Sequence, residues 1–201
     1  MEITNYKVYD LEESIIASGL PMQAEYKEDT FSNQAELLFY SDIELLRKNL
    51  HFKRACKLAA NPAGSGHNNF LSGIVVSMNV TATQVWWMQL ERYHFVQIVS
   101  SQSKMHRLTK MLEADGCCDC HPKVHPDFLP YSECMEDFET LIYNCPMGLE
   151  LTARITTNYL QLKTIWNQRH NHKLEEWRKF CAFIESLPFA KEFITNNKKE
   201  D

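Results

Sequence analysis

The chain has 201 residues, 44% of them apolar and 11% aromatic, with six glycines, which is enough apolar mass to bury the core of one domain and excludes wholesale disorder. A formal net charge of −5 argues against a general nucleic-acid binder, because such a protein needs a basic face to displace counterions from phosphates. No apolar run reaches the roughly 18 residues of a membrane span, and the first ten residues lack the basic-then-apolar shape of a signal peptide, so the expected location is cytoplasmic, with the seven cysteines reduced.

Ile3–Tyr9 alternates apolar and polar residues and predicts a short strand. Asp10 is placed to cap a helix running to Gly19, where Leu20-Pro21 ends it. Ser41 then caps a longer helix, whose apolar positions Ile43, Leu46, Leu50, Ala55 and Leu58 keep a helical period up to Asn61-Pro62. After the turn Ala63-Gly64-Ser65-Gly66, Gly73–Val80 reads as a strand, and Thr81 opens an aromatic helix through Trp86, Trp87 and Leu90. Ser103–Ala114 reads as a helix, Gly116–Pro130 as a surface loop, Tyr131–Asn144 as a helix and Leu149–Thr157 as a strand. Two helices, Tyr159–Arg169 and Lys173–Leu187, close a single domain over 1–194, and 195–201 forms a flexible tail. Helices and strands interleave without regular βαβ units, so the class is α+β.

Several constellations have the composition of a site. Cys117-Cys118-Asp119-Cys120-His121, with His125 four residues on, offers thiolates and imidazoles that suit Zn²⁺. The spacing is not that of a finger, adjacent ligands wrap one ion only with strain, and the favoured reading is a loop with free thiols and no metal. Asn61-Pro62-Ala63-Gly64-Ser65-Gly66-His67 is glycine-rich but has no phosphate-loop lysine, and its serine is not in a nucleophile elbow. Arg92-Tyr93-His94-Phe95 is followed by Ser100-Ser101-Gln102-Ser103-Lys104-Met105-His106-Arg107. Hydroxyls that open a helix with Lys104 and Arg107 one turn apart offer backbone N–H groups and two cations to a phosphate; the bland alternative is an ordinary capped, solvated helix start. Trp86, Trp87 and Tyr93 have the rings to stack on a flavin or base, although such a stripe more often belongs to a core. Asn158 and Arg169 stand eleven residues apart, on nearly one helix face, and Arg169 opens the polar break His170-Asn171-His172-Lys173.

In this order and spacing the pieces resemble the flavin-dependent thymidylate synthase family. Gly66-His67 stands at the family's interval before Arg92, Gln89 stands three before Arg92, and Pro146, Asn158 and Arg169 keep the family's spacing to one another. The match runs over His67–Arg178 and is one of spacing more than identity. It implies a mainly antiparallel sheet flanked by helices, and a catalytic-type domain that assembles as a homotetramer. His67, Arg92, His94 and Asn158 would then contact FAD. Gln89, Ser103, Lys104 and Arg107 would bind dUMP, with Arg169 set against the pyrimidine carbonyl as the catalytic cation. The implied reaction carries one carbon from methylenetetrahydrofolate to C5 of dUMP, giving dTMP, with FAD and NADPH as redox partners. The chain departs from the family where Arg-His-Arg is Arg92-Tyr93-His94, Glu-His is Ser72-Gly73, the arginine of Asn-x-Arg is Leu160, and Ala-Arg is Leu141-Ile142. Three alternatives therefore stand beside the leading one: a hydroxymethylase or methylase of another pyrimidine deoxynucleotide, a non-catalytic nucleotide-binding relative, and a zinc-stabilised interaction protein.

Overall fold

The computed structural model describes all residues except Tyr40, Ser41, Ala63, 114–121, 125–137 and 197–201, together with all side chains of the described residues but those of Ile43 and 109–113. Its elements are β1 (Glu2–Tyr9), α1 (Leu11–Ala17), α2 (Glu28–Phe39), α3 (Ile43–Lys48), α4 (Leu50–Ala59), β2 (Val75–Thr83), α5 (Gln84–Leu90), β3 (Gln97–Ser101), α6 (Lys104–Glu113), α7 (Phe138–Tyr143), β4 (Glu150–Asn158), α8 (Tyr159–Arg169), α9 (Glu175–Ser186) and α10 (Ala190–Phe193). Two short 3-10 turns, Leu20–Met22 and Asn69–Ser72, lie between them. The fold is α+β, combining helices with a four-stranded antiparallel sheet in the order β1-β2-β4-β3.

The central strands bury alternate residues: Val76, Met78, Val80 and Ala82 on β2, and Ala153 and Ile155 on β4. That period of two is what a half-buried strand requires. The edge strands β1 and β3 are mostly exposed. β3 pairs antiparallel with β4, Ile98 facing Ile155 and Ser100 facing Arg154, so Val99 is the extra residue of a bulge. Asn5 on β1 takes a left-handed φ of 49°, a conformation asparagine tolerates, and the Arg154 guanidinium donates to its carbonyl at 2.7 Å.

Two compact units share the chain. The first comprises Met1–Tyr6 and Met78–Thr156, and the second Lys7–Ser77 and Thr157–Asp201. In the first, α6 packs on α7, and Trp86 and Trp87 meet edge to face at 4.9 Å between rings. In the second, α1 packs on α2 and α4, α8 on α9, and α10 on α4 and α9. An aromatic cluster of Phe52, Phe70, Phe189 and Phe193, at centroid distances of 5.0–5.9 Å, fills its centre.

Polar side chains from neighbouring helices finish the helix ends in this second unit. Arg54 of α4 donates to the carbonyls of Ile15 and Ile16 and to Ser18 Oγ, closing the end of α1. Gly19 leaves the room, since a Cβ there would stand 2.4 Å from the guanidinium carbon.

Several elements differ from the sequence expectation. Asp10 is left-handed (φ 57°) and forms no side-chain cap, so it acts as a turn residue before α1. The expected long helix after Ser41 is two: Asp42 caps α3, and Asn49 both ends α3 and caps α4, its Oδ1 accepting from the His51 and Phe52 amides. An asparagine that bonds the backbone locally competes with helix continuation, and the apolar period alone does not register that competition. Helices α2 and α10 and strand β3 have no counterpart in the sequence expectation. Strand β2 runs on to Thr83, which caps α5 in the place expected of Thr81. Most of the expected 116–130 loop and the first part of the 131–144 helix lie outside the described residues, as does the end of the tail. Among the described residues, no helix is long and apolar enough to cross a membrane.

Candidate functional site

In the first unit, a cleft of about 220 Å³ opens where β2 turns into α5. Thr83 Oγ1 accepts from the Trp86 amide and starts α5. The Trp87 ring is tied to β2 and β4, because its Nε1 donates to the carbonyls of Ala82 at 3.1 Å and Leu151 at 3.0 Å. Trp87, Met88, Ile98, Leu151 and Ala153 give the cleft an apolar lining, and Gln84, Glu91, Ser101 and Lys104 give it a polar one.

Lys104 enters from the first turn of α6. Its ammonium donates to Gln84 Oε1 at 3.3 Å, while Gln84 Nε2 donates to the Pro146 carbonyl at 3.2 Å. The amide is thus oriented at both ends, and one of the three N–H groups of Lys104 is used to hold it. Cys145 sits beside this pair. Burial pushes its thiol pKa up, against opposing pulls from Gln84 and Lys104, so it stays protonated at neutral pH. An apolar wall with a tethered cation at one end suits a planar ring carrying an anionic group.

Of the residues singled out from sequence, Ser103, Lys104 and Arg107 all belong to the start of α6, but only Lys104 lines the cleft, and Arg107 Nε is buried. The His106 amide donates to Ser103 Oγ at 3.5 Å and the Arg107 amide to the Ser103 carbonyl at 3.0 Å. Arg92 and His94 are exposed after α5, and Tyr93 between them is buried. The imidazole displaced by one position therefore still sits on the same exposed segment as Arg92. Gln89 is half-buried on α5 and does not line the cleft. Trp86 and Tyr93 belong to the core, as an aromatic stripe more often does, and only Trp87 of the three rings reaches the cleft.

In the second unit, His67 is exposed at the end of a loop whose Gly64 and Gly66 are both left-handed, at φ 89° and 78°. A side chain would strain the backbone there. Asn158 caps α8, its Oδ1 accepting from the Gln161 amide at 2.9 Å. Arg169 ends the same helix, about 16 Å of helical rise away, and its guanidinium lies 4.8 Å over the Trp177 ring. The structure thus separates Asn158 and Arg169 to opposite ends of α8. His170 stacks on Trp166 at 4.5 Å, and Arg178 donates to the carbonyls of His172 and Lys173. At Gly73 a Cβ would stand 2.6 Å from Ser14 Oγ and 3.3 Å from the Phe70 carbonyl oxygen, so a larger residue there would be crowded.

Sequence reasoning missed Gln84 and Ile98 as cleft residues, and the buried pair Asn68 and Lys163. Only a strand at 97–101 would have revealed the first set, and short polar strands carry little signal. Among the described residues, no group of three His, Cys, Asp or Glu side chains is placed to hold a metal. The cysteine and histidine ligands between Cys117 and His125 lie outside the described residues.

No protein-family model matches the sequence. No curated protein matches it either. Among solved structures the fold is that of the flavin-dependent thymidylate synthases. One is ThyX from Helicobacter pylori complexed with FAD and dUMP, at a TM-score of 0.62 and 15% identity, with 98% of this chain and 100% of that one covered. A second structure of Helicobacter pylori thymidylate synthase X with FAD and dUMP gives a TM-score of 0.62 at 14% identity, covering 96% of each chain. At such identity the likeness establishes the fold.

Proposed function

We propose that the chain is a flavin-dependent thymidylate synthase-like enzyme, which transfers one carbon from methylenetetrahydrofolate to C5 of dUMP with FAD and NADPH. The observation that carries this reading is a fold shared from end to end with a protein solved holding both FAD and dUMP. The donor chemistry of the chain fits both anions. Arg92 and His94 form an exposed pair for a pyrophosphate, and His67 follows a glycine turn whose backbone N–H groups face no side-chain bulk of their own. FAD, when bound, supplies the hydride relay from NADPH.

The chain's own residues do the rest. Ser103, Lys104 and Arg107 bind the nucleotide phosphate at the start of α6, where the helix dipole adds to their charge. The wall formed by Trp87 and Ile98 excludes water from the ring. In this reading Arg169 supplies the cation that stabilises the negative charge developing on the uracil carbonyl when C5 acts as the nucleophile. Its stacking on Trp177 limits the arginine's conformational freedom. No thiolate is required, in keeping with the protonated Cys145. Assembly into a homotetramer belongs to the same reading.

The test is incubation with dUMP, NADPH, FAD and methylenetetrahydrofolate, with the product identified by mass. A methyl gain on dUMP supports the proposal, and a hydroxymethyl gain or activity on a cytosine nucleotide moves the chain to the neighbouring reaction. Arg169→Ala is expected to lower turnover about 10²- to 10³-fold with the native circular dichroism spectrum retained; undiminished turnover removes the role assigned to Arg169. One observation favours a second reading, a nucleotide binder without catalysis: the charged family positions are filled by Leu160, Ser72 and Gly73, and Ser72 Oγ is spent on the Asn69 carbonyl. A colourless protein that FAD cannot reconstitute, yet whose Tm rises with dUMP, selects that reading.

A further inference from the structure

Lys163 of α8 is fully buried, an unusual state for a lysine. Its ammonium donates to the carbonyls of Ala59 and Asn61, the latter at 3.0 Å. Asn68, equally buried, donates through Nδ2 to the carbonyls of Asn61 at 3.0 Å and Pro62 at 3.2 Å. The Asn61 side chain turns back to the carbonyls of Lys57 and Leu58. Each of these carbonyls at the end of α4 and in the chain leaving it is therefore held by a side chain, and one positive charge lies at the negative end of the helix dipole.

The chain leaving α4 leads straight into the loop with left-handed Gly64 and Gly66 that ends at His67. Capping one helix of ten residues does not call for two buried polar residues on different segments. The Asn68 amide orientation is fixed by its two donor bonds, and its Oδ1 has no donor among the described residues. A buried orphan acceptor is unfavourable, and it is tolerated here beside a clamp on Asn61 and Pro62.

We infer that Lys163 and Asn68 are positioning residues: together they hold the backbone at Asn61 and Pro62, ahead of the segment 64–67, so that the Gly64 and Gly66 N–H groups and His67 are preorganised for the anionic cofactor. The inference rests on the proposed flavin function for the identity of the ligand, but not for the clamp itself. Preorganisation raises affinity by removing the ordering cost from the binding step.

The experiment uses the full chain and two measurements. Hydrogen exchange followed by mass spectrometry reads the loop in the absence of any ligand, and FAD titration by flavin fluorescence reads affinity. Lys163→Met and Asn68→Ala are expected to speed exchange in the segment 61–68 while α9 stays protected, and to weaken FAD binding at least tenfold. Ile184→Val, a core truncation on α9, serves as the control for lost stability: it lowers Tm without touching the loop and should leave FAD affinity unchanged. Should Lys163→Met fail to fold, Asn68→Ala and Lys163→Arg carry the test, the latter with a smaller effect because charge is kept and geometry is not. Loop exchange equal to wild type in these variants, or an affinity loss no larger than that of Ile184→Val, overturns the inference. If the wild-type chain binds no FAD at all, the functional proposal fails while the exchange arm still decides the clamp.

Discussion

His172 lies in the polar break after α8 and accepts the Leu174 amide through Nδ1 at 3.1 Å, so the neutral ring holds the start of α9. Burial first, then the charges of Arg169 and Arg178, push its pKa below the usual value. His51 is shifted the same way, by burial and then by Arg54, whose guanidinium donates to its Nδ1 at 3.0 Å. A histidine with a depressed native pKa binds protons more readily when unfolded, and stability then rises with pH. The contribution of both rings is therefore whole above about pH 6.5 and is lost as pH falls through that value toward the native pKa. Thermal melts from pH 7.5 to 5.5 should show a falling Tm, and His172→Gln should flatten part of that slope. A slope unchanged in both His172→Gln and His51→Gln means that these rings are not the titrating groups. Because Arg169 faces His172 electrostatically, protonation of the native ring should also reduce turnover, at a lower pH than the one where Tm begins to fall.

At the scale of the element, the joint between α3 and α4 shows how one side chain sets a boundary. Asn49 has an extended backbone (φ −64°, ψ 135°), and its Oδ1 is committed to two amides of α4. Asn49→Ala should cost about 1 kcal/mol, equivalent to a fall in Tm of about 2–4 °C for a chain of this size, whereas Asn49→Asp should hold both values near wild type. A melt of Asn49→Ala that coincides with wild type would show the cap to be idle. The same joint explains what the sequence could and could not reveal. Long elements with strong periods, such as β1, β4 and α8, were legible within a residue or two, since apolar spacing and caps agree in them. The α3–α4 break was not, because Leu46, Leu50 and Ala55 keep one period across it. Strand β3 escaped because its exposed edge residues Gln97, Val99 and Ser100 alternate weakly and Val99 is bulged out. In the cleft, Lys104 and Ser101 were legible from the run of hydroxyls before α6, and Trp87 as one of three candidate rings. Gln84 and Ile98 were not, since the wall they share forms only when β3 pairs with β4.

At the scale of the whole molecule, the first unit leaves several large apolar side chains in water: Phe95 is 70% exposed, Met88 and Val99 are each 61% exposed, and Met105 is 50% exposed. They lie near one another in sequence, within or beside the segment that carries Arg92, His94, Ser103 and Lys104. Large exposed apolar side chains this close in sequence to the proposed ligand-binding residues are candidates for an interface. The net charge of −5 is too small to hold copies of the chain apart at physiological salt. The homotetramer of the functional proposal would bury these residues and bring copies of the proposed phosphate-binding segment together. The expected solution mass is then about four times the 23.5 kDa of one chain, with a Tm that rises with protein concentration, as linked folding and assembly require. Phe95→Glu should break the assembly into smaller species that keep their helical signal. Because the cofactor site would then lack its neighbour, FAD binding should weaken in the same variant. Light scattering that reports a monomer at micromolar concentration for the wild type, with a concentration-independent melt, rules the assembly out and leaves Phe95 and Met88 without this explanation.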